Sequence, residues 1–415
     1  MTDKSKIEQK PNPFDEAIDS FLNNIESLRS TFPLIIGILQ IQKNKTVDAH
    51  SKFLQKDCEY VEAEEHYLIK PENSRKNFKL KKAATNSQLA EKILARNFIV
   101  SLVSQFDTYI GDLMRCVFEI KPHIIDASER KLTYSDLKAF DTIDNAQEYI
   151  VEKEIESVLR DSHSEQFSWF EKKLSLKLRA DLPAWKGFVE LTQRRNLFVH
   201  NDGKVSTQYL NVCKDHKVEL PEGIKPGDNL PVSQDYFEKA FDCLFEISLK
   251  LNQVLRRNLE PTKVEQADDS FMNITFELIQ NKQYELAKVM FEFEDKYIRK
   301  YSNQDTELRI LLNRAQTYKW LDESEKCKEI INSRDWSACG EILKMGSFVL
   351  LGEFTSAAES MKLIGDNEKV IHKSSYTDWP IFKEFIETDE FKTAFKEIYK
   401  TEAEVKEKNA TQQNL

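Results

Sequence analysis

The sequence predicts an all-α protein built as a helical bundle followed by a helical-repeat region. Three observations carry that expectation. Glycine (10) and proline (11) are scarce in 415 residues, and 31% of the residues are charged. Apolar residues recur every three or four positions along most of the chain, which is helical spacing. Sandwiches, barrels and doubly wound sheets need frequent tight turns, and so many of the residues that make them. A hydrophobic fraction of 40%, with 26 Phe, 13 Tyr and 5 Trp, is ample for a core.

The elements follow in order. Met1 to Pro13 is polar and reads as a frayed end. Phe14, Ile18, Phe21, Ile25 and Leu28 define a first helix that Pro33 is expected to break. A second is expected from Leu34 to Lys43, and a third, carrying Ala49, Phe53, Cys58 and Val61, ends before Pro71. Tyr67 to Asn86 reads as a loop. A strongly apolar helix from Ser87 to Glu119 is the expected centre of a bundle. Thr133 caps a short helix, and two amphipathic helices follow over Asn145 to Arg160 and Ser164 to Leu178. Asp181 with Pro183 signals the start of another, which runs into Asn201-Asp202-Gly203 as a stop. Leu220 to Pro231 is loop, and Ser233 caps a helix from Gln234 to Leu259.

Pro261 to Asp269 is the expected domain boundary, with Asp268-Asp269 read as a helix cap. Beyond it, three segments resemble one another: Tyr284 to Met290, Ser324 to Ile330 and Phe354 to Ser360. Each has a small residue in fourth place (Ala287, Cys327, Ala357) and follows an apolar helix. Their spacings of 40 and 30 straddle a repeat of roughly 34 residues, so the region resembles tetratricopeptide (TPR-like) repeats. The expected division is residues 1–86 as N-terminal helices and a basic loop packed on the bundle, 87–260 as the bundle, 270–400 as repeats and 401–415 as a polar tail.

Net charge is −10. Residues 260–415 hold 22 Lys+Arg against 30 Asp+Glu, a net of −8, so the repeats suit a protein partner better than nucleic acid. Lys70 to Arg96 runs the other way, with eight basic residues against Glu72 and Glu91. Arg75, Lys76, Lys79, Lys81 and Lys82 surround Phe78 there, a pattern that can hold single-stranded nucleic acid by phosphate contact and stacking, or simply form a solvated loop. The six cysteines show no metal-ligand spacing, and the N-terminus has no apolar signal segment. The longest apolar run, Leu34 to Leu39, is far short of a membrane span. A reduced cytoplasmic protein without metal or cofactor is expected, with no membrane contact.

The chemistry concentrates in Arg195-Asn196-Leu197-Phe198-Val199-His200. At helical pitch Asn196 and His200 share a face, and Arg195 reaches across its edge. A cation that grips phosphate, an amide that orients it and an imidazole that moves a proton make a phosphodiester-cleaving set. RNA brings its own nucleophile, the 2′-OH. Arg194 is a further candidate for RNA contact, although Glu190 four residues earlier can pair with it. His200 can also merely cap the helix end. The remaining histidines, His163 among them, read as ordinary residues.

Arg195, polar Asn196 and His200, near the end of a late bundle helix and inside the stretch Glu190 to Gly203, resemble the R-polar-x-x-x-H signature of the HEPN superfamily. The likeness covers Ser87 to Leu259. It implies an all-α bundle that dimerises with two motifs facing one cleft. In active members it implies metal-independent RNA cleavage leaving a 2′,3′-cyclic phosphate, in bacterial defence or toxin systems. Arg195, Asn196 and His200 are then the catalytic residues. One chain supplies one motif, so activity is expected to require a homodimer. Inactive members only scaffold, which leaves a non-catalytic dimeric adaptor as the alternative.

Overall fold

The computed structural model describes residues 12–62, 65–126, 131–180 and 182–401. Asp181, residues 1–11 and nearly all of the polar tail lie outside them. The described chain is mostly helical and divides into two compact units, residues 1–254 and 255–415.

The first unit is built on two very long helices, α1 (Pro13–Asp57) and α2 (Ser74–Ile120), joined by a small antiparallel hairpin of β1 (Glu59–Val61) and β2 (His66–Leu68). The short α3 (His123–Asp126) and α4 (Tyr134–Leu137) lead to α5 (Ile143–Arg160), α6 (His163–Leu174), α7 (Trp185–His200), α8 (Thr207–Asp215) and α9 (Gln234–Leu259), whose residues from Leu255 on belong to the second unit. Helix α2 packs against α1, α5 and α7, and its Leu102, Val103, Phe106, Ile110 and Leu113 are wholly buried. Phe21 of α1 stacks on Tyr109 of α2, and Phe106 meets Phe188 of α7 edge-on. Thr133 caps α4 in a reciprocal capping box with Asp136, and Ser233 caps α9, both as the sequence indicates.

Two local expectations fail for one reason. Pro33 does not break α1, although it removes one helical hydrogen bond. Phe32 beside it is buried, stacked on Phe237 and edge-on to Phe98, and this packing holds the helix through the proline. Residues 74–86 are likewise helix, and α2 runs unbroken through them. Lys, Arg, Ala and Leu are good helix formers, and α1 supplies a partner along the stretch. Lys76 reaches Asp57 and lies over the Phe53 ring, Thr46 meets Ser87 at 2.6 Å, and Lys43 meets Glu91 at 2.6 Å. Three smaller boundaries also move. Helix α1 ends at Asp57 with Cys58 in extended conformation, and Val61, expected in a helix, pairs in β1. Helix α6 stops at Leu174 with Ser175 in the left-handed region, and α7 begins at Trp185 after Ala184, which offers no side-chain cap.

The second unit contains α10 (Val264–Gln280), α11 (Tyr284–Tyr297), α12 (Gln304–Trp320), α13 (Ser324–Asn332), α14 (Glu341–Leu351), α15 (Phe354–Ile364), the short α16 (Ser375–Asp378) and α17 (Asp389–Tyr399). They form three successive hairpins, α10–α11, α12–α13 and α14–α15. The turns share one backbone geometry. Lys282, Asp322 and Gly352 all have positive φ, and the next residues, Gln283, Glu323 and Glu353, each donate an N–H to the carbonyl five residues back at 2.8–2.9 Å. Ala287, Cys327 and Ala357 are buried where each second helix meets its first. Each hairpin packs on the next: α12 touches α10 and α11, α14 touches α12 and α13, and α17 closes against α15. Asp268 and Asp269 lie inside α10, whose N-cap position is Lys263. Asp268 is fully buried and accepts from Arg257 Nη2 and Ser302 N, both at 2.7 Å.

Candidate functional site

Helix α7 has two faces. Phe188, Val189, Leu191, Thr192 and Leu197 point into the bundle, because apolar burial orients an amphipathic helix. Gln193, Arg195, Asn196 and His200 lie along a pocket of about 700 Å³. Its other walls are Asp107 of α2, residues 160–163 at the junction of α5 and α6, and Gln208 and Tyr209 of α8. The structure therefore brings Arg195, Asn196 and His200 together, with His200 at the exposed end.

Arg195 is held on two sides. Its Nη1 donates to Asn196 Oδ1 at 3.1 Å, and its Nη2 is 3.6 Å from Asp107 Oδ2. Its buried Nε has no hydrogen-bond partner. Such a guanidinium keeps donors for an anion entering the pocket. The other oxygen of Asp107 meets His163 Nε2 at 2.8 Å. The His163 ring is edge-on to Phe188, so packing also fixes its orientation.

Asp107 and His163 are site residues that sequence reasoning passed over. They lie 56 positions apart, and His163 is 37 positions before His200. No local spacing joins them.

Arg194 is turned the other way, which corrects its assignment to RNA contact. It is buried, donates Nε to Glu190 Oε1 at 2.6 Å and lies over the Tyr236 ring at 3.8 Å. Glu190 also accepts from Tyr209 Oη at 2.6 Å and Tyr236 Oη at 2.8 Å. Loss of water on burial, and then the negative Glu190, push the Tyr209 and Tyr236 hydroxyls well up, so both stay protonated as donors. This closed network locks α7 to α8 and α9.

Arg75, Lys76, Lys79, Lys81 and Lys82 are exposed, but on a helix rather than a loop. Lys82 and Asp107 are 25 residues apart on α2, roughly 38 Å at 1.5 Å per residue. The basic stretch is therefore not part of the pocket. Phe78 beside it is exposed, with Lys82 over its ring. Among the described residues no cluster of three or more His, Cys, Asp or Glu is placed to hold a metal ion, and no helix is long and apolar enough to cross a membrane.

The second unit has its own groove, of about 270 Å³. Equivalent positions of the three first helices line it: Met272, Leu312 and Ile342 ten residues before each turn's left-handed residue, and Phe276, Gln316 and Gly346 six before it. Trp379 closes one side. Comparison with family models, curated proteins and solved structures finds no match to this chain.

Proposed function

We propose that this chain is a metal-independent endoribonuclease of the HEPN type, with TPR-like hairpins that dock a protein partner. The observation that carries the reading is the pocket wall of Arg195, Asn196 and His200, three groups whose chemistry suits an RNA phosphodiester. His200 moves a proton, Arg195 meets the charge that develops on the phosphate, and Asn196 orients it. The exposed basic start of α2 supplies a second phosphate contact, distant from the pocket along the same strand of RNA. A homodimer belongs to the reading, as the resemblance implies. A role in bacterial defence or a toxin system rests on the sequence resemblance, as does a cytoplasmic location.

The test is cleavage of RNA by purified protein in EDTA. His200→Ala should lower the rate by about 10²–10⁴. Arg195→Lys should also lose most activity, because a point charge does not replace the planar fork. If RNA survives across many substrates, or His200→Ala cleaves like wild type, the catalytic reading fails.

The second reading is a non-catalytic dimeric scaffold. The groove of the second unit favours it, since three repeated helix positions build a binding surface that needs no chemistry elsewhere. Partner capture that depends on the groove, with no RNA cleavage, would establish it.

A further inference from the structure

Moving a phosphoryl group from the 5′-oxygen to the 2′-oxygen of RNA needs two proton transfers. A base takes the proton from the 2′-OH while an acid gives one to the departing 5′-oxygen. The two oxygens stand on opposite sides of phosphorus, so one imidazole cannot serve both at once. His200 is one candidate group. The pocket of a single chain contains a second imidazole, that of His163.

His163 is not free to turn. Its Nε2 faces Asp107 Oδ1 at 2.8 Å, and its ring packs against Phe188 at 5.5 Å between centroids. An ionised carboxylate can only accept a hydrogen bond, so Nε2 carries the hydrogen, and in the neutral ring the lone pair is on Nδ1. The same carboxylate approaches Arg195 through its other oxygen. One side chain thus links the orientation of a base to the position of the cation that meets phosphate.

We propose that His163 is a second catalytic residue of this pocket, with Asp107 as its positioning residue, so that one chain holds the complete acid–base pair for RNA cleavage. The proposal rests on the ribonuclease reading. His163 Nδ1 takes the 2′-OH proton, the 2′-oxygen bonds to phosphorus, and the bond from phosphorus to the 5′-oxygen breaks. Protonated His200 gives its proton to that oxygen. The products are a 2′,3′-cyclic phosphate and a 5′-OH, with both protons accounted for. The charged or titratable groups lining the pocket besides these are Asp107, Arg195, Arg160, Asp161 and Tyr209.

The experiment uses the full chain and RNA in EDTA. His163→Gln, which keeps a donor for Asp107, should lower kcat by 10²–10⁴ with little change in KM and remove one limb of the pH–rate profile. Asp107→Asn should lower kcat less and move the same limb, which a merely structural contact would not do. An equimolar mixture of His163→Gln and His200→Ala proteins should stay inactive, because neither chain has both groups. If His163→Gln cleaves within a few-fold of wild type while His200→Ala does not, the proposal falls and the ribonuclease reading stands. Recovered activity in the mixture would show a pair shared between subunits and overturn the one-chain claim. A wild-type chain that cleaves no RNA overturns both. If His163→Gln fails to unfold cooperatively, the limb in Asp107→Asn decides, and an unmoved limb rejects the proposal.

Discussion

Gly203 makes room for Arg96. A Cβ on Gly203 would stand 2.5 Å from the guanidinium carbon of Arg96, which is buried and also donates to Asp202 at 2.8 Å. Gly203 N donates back to Leu197 O at 2.9 Å, so this contact fixes the end of α7 that presents His200. Gly203→Ala meets both the clash and a left-handed φ of 69°. It should cost about 2–3 kcal/mol of stability, read by chemical denaturation, and lower any activity with it.

Glu190 accepts from three donors, Arg194, Tyr209 and Tyr236. Glu190→Ala leaves Arg194 charged, buried and without its carboxylate. A loss of about 3–5 kcal/mol in unfolding free energy is expected. Arg194→Ala should weaken the fold as well, and RNA affinity per folded molecule should not change.

The basic start of α2 should govern landing rather than chemistry. Arg75, Lys79 and Lys82 together changed to Ala should weaken RNA binding and reduce the slope of log affinity against log salt by about 2, at roughly 0.7 per lost single-strand contact. The rate at saturating RNA should hold. An unchanged slope would remove this surface from the RNA path.

Asp242 gives stability a pH dependence of a definite sign. Burial pushes its carboxyl from an ordinary 3.8 up to about 6; Arg29 works against the rise, while Glu238, Glu26 and Glu246 add to it. Its folded-state pKa is thus above its unfolded one. The ionised carboxylate costs the fold nothing below pH 4, increasingly more as pH rises toward 6, and its full amount above that. Asp242→Asn should stabilise by about 1–2 kcal/mol at pH 7.5, discounted for partial exposure, and by nearly nothing at pH 4. Thermal melts at the two pH values check it.

Ala357 is wholly buried where α15 meets α14. Ala357→Leu would force extra carbons into that contact and should destabilise the second unit by about 1–3 kcal/mol. Ala287→Leu should do the same at α11.

The sequence by itself determined whatever depends on neighbours a few residues away. The shared face of Asn196 and His200 follows from helical pitch. The small residues Ala287, Cys327 and Ala357 marked the second helix of each hairpin, because close helix packing selects small side chains at a fixed place. Tertiary structure decided the rest. The three repeat turns share a backbone conformation although Asn281-Lys282-Gln283, Leu321-Asp322-Glu323 and Leu351-Gly352-Glu353 differ in residue type, so only φ reveals them. Residues 74–86 and the stretch around Pro33 are helical because packing partners outweigh a charge run and a missing N–H. Arg194 and Arg195 are adjacent in sequence, yet one is locked inward by Glu190 and the other lines the pocket, because consecutive helix positions point about 100° apart. Asp107 joins His163 and Arg195 across three helices, and such a meeting leaves no periodic trace in a sequence, since bundle packing rather than chain spacing sets the distance.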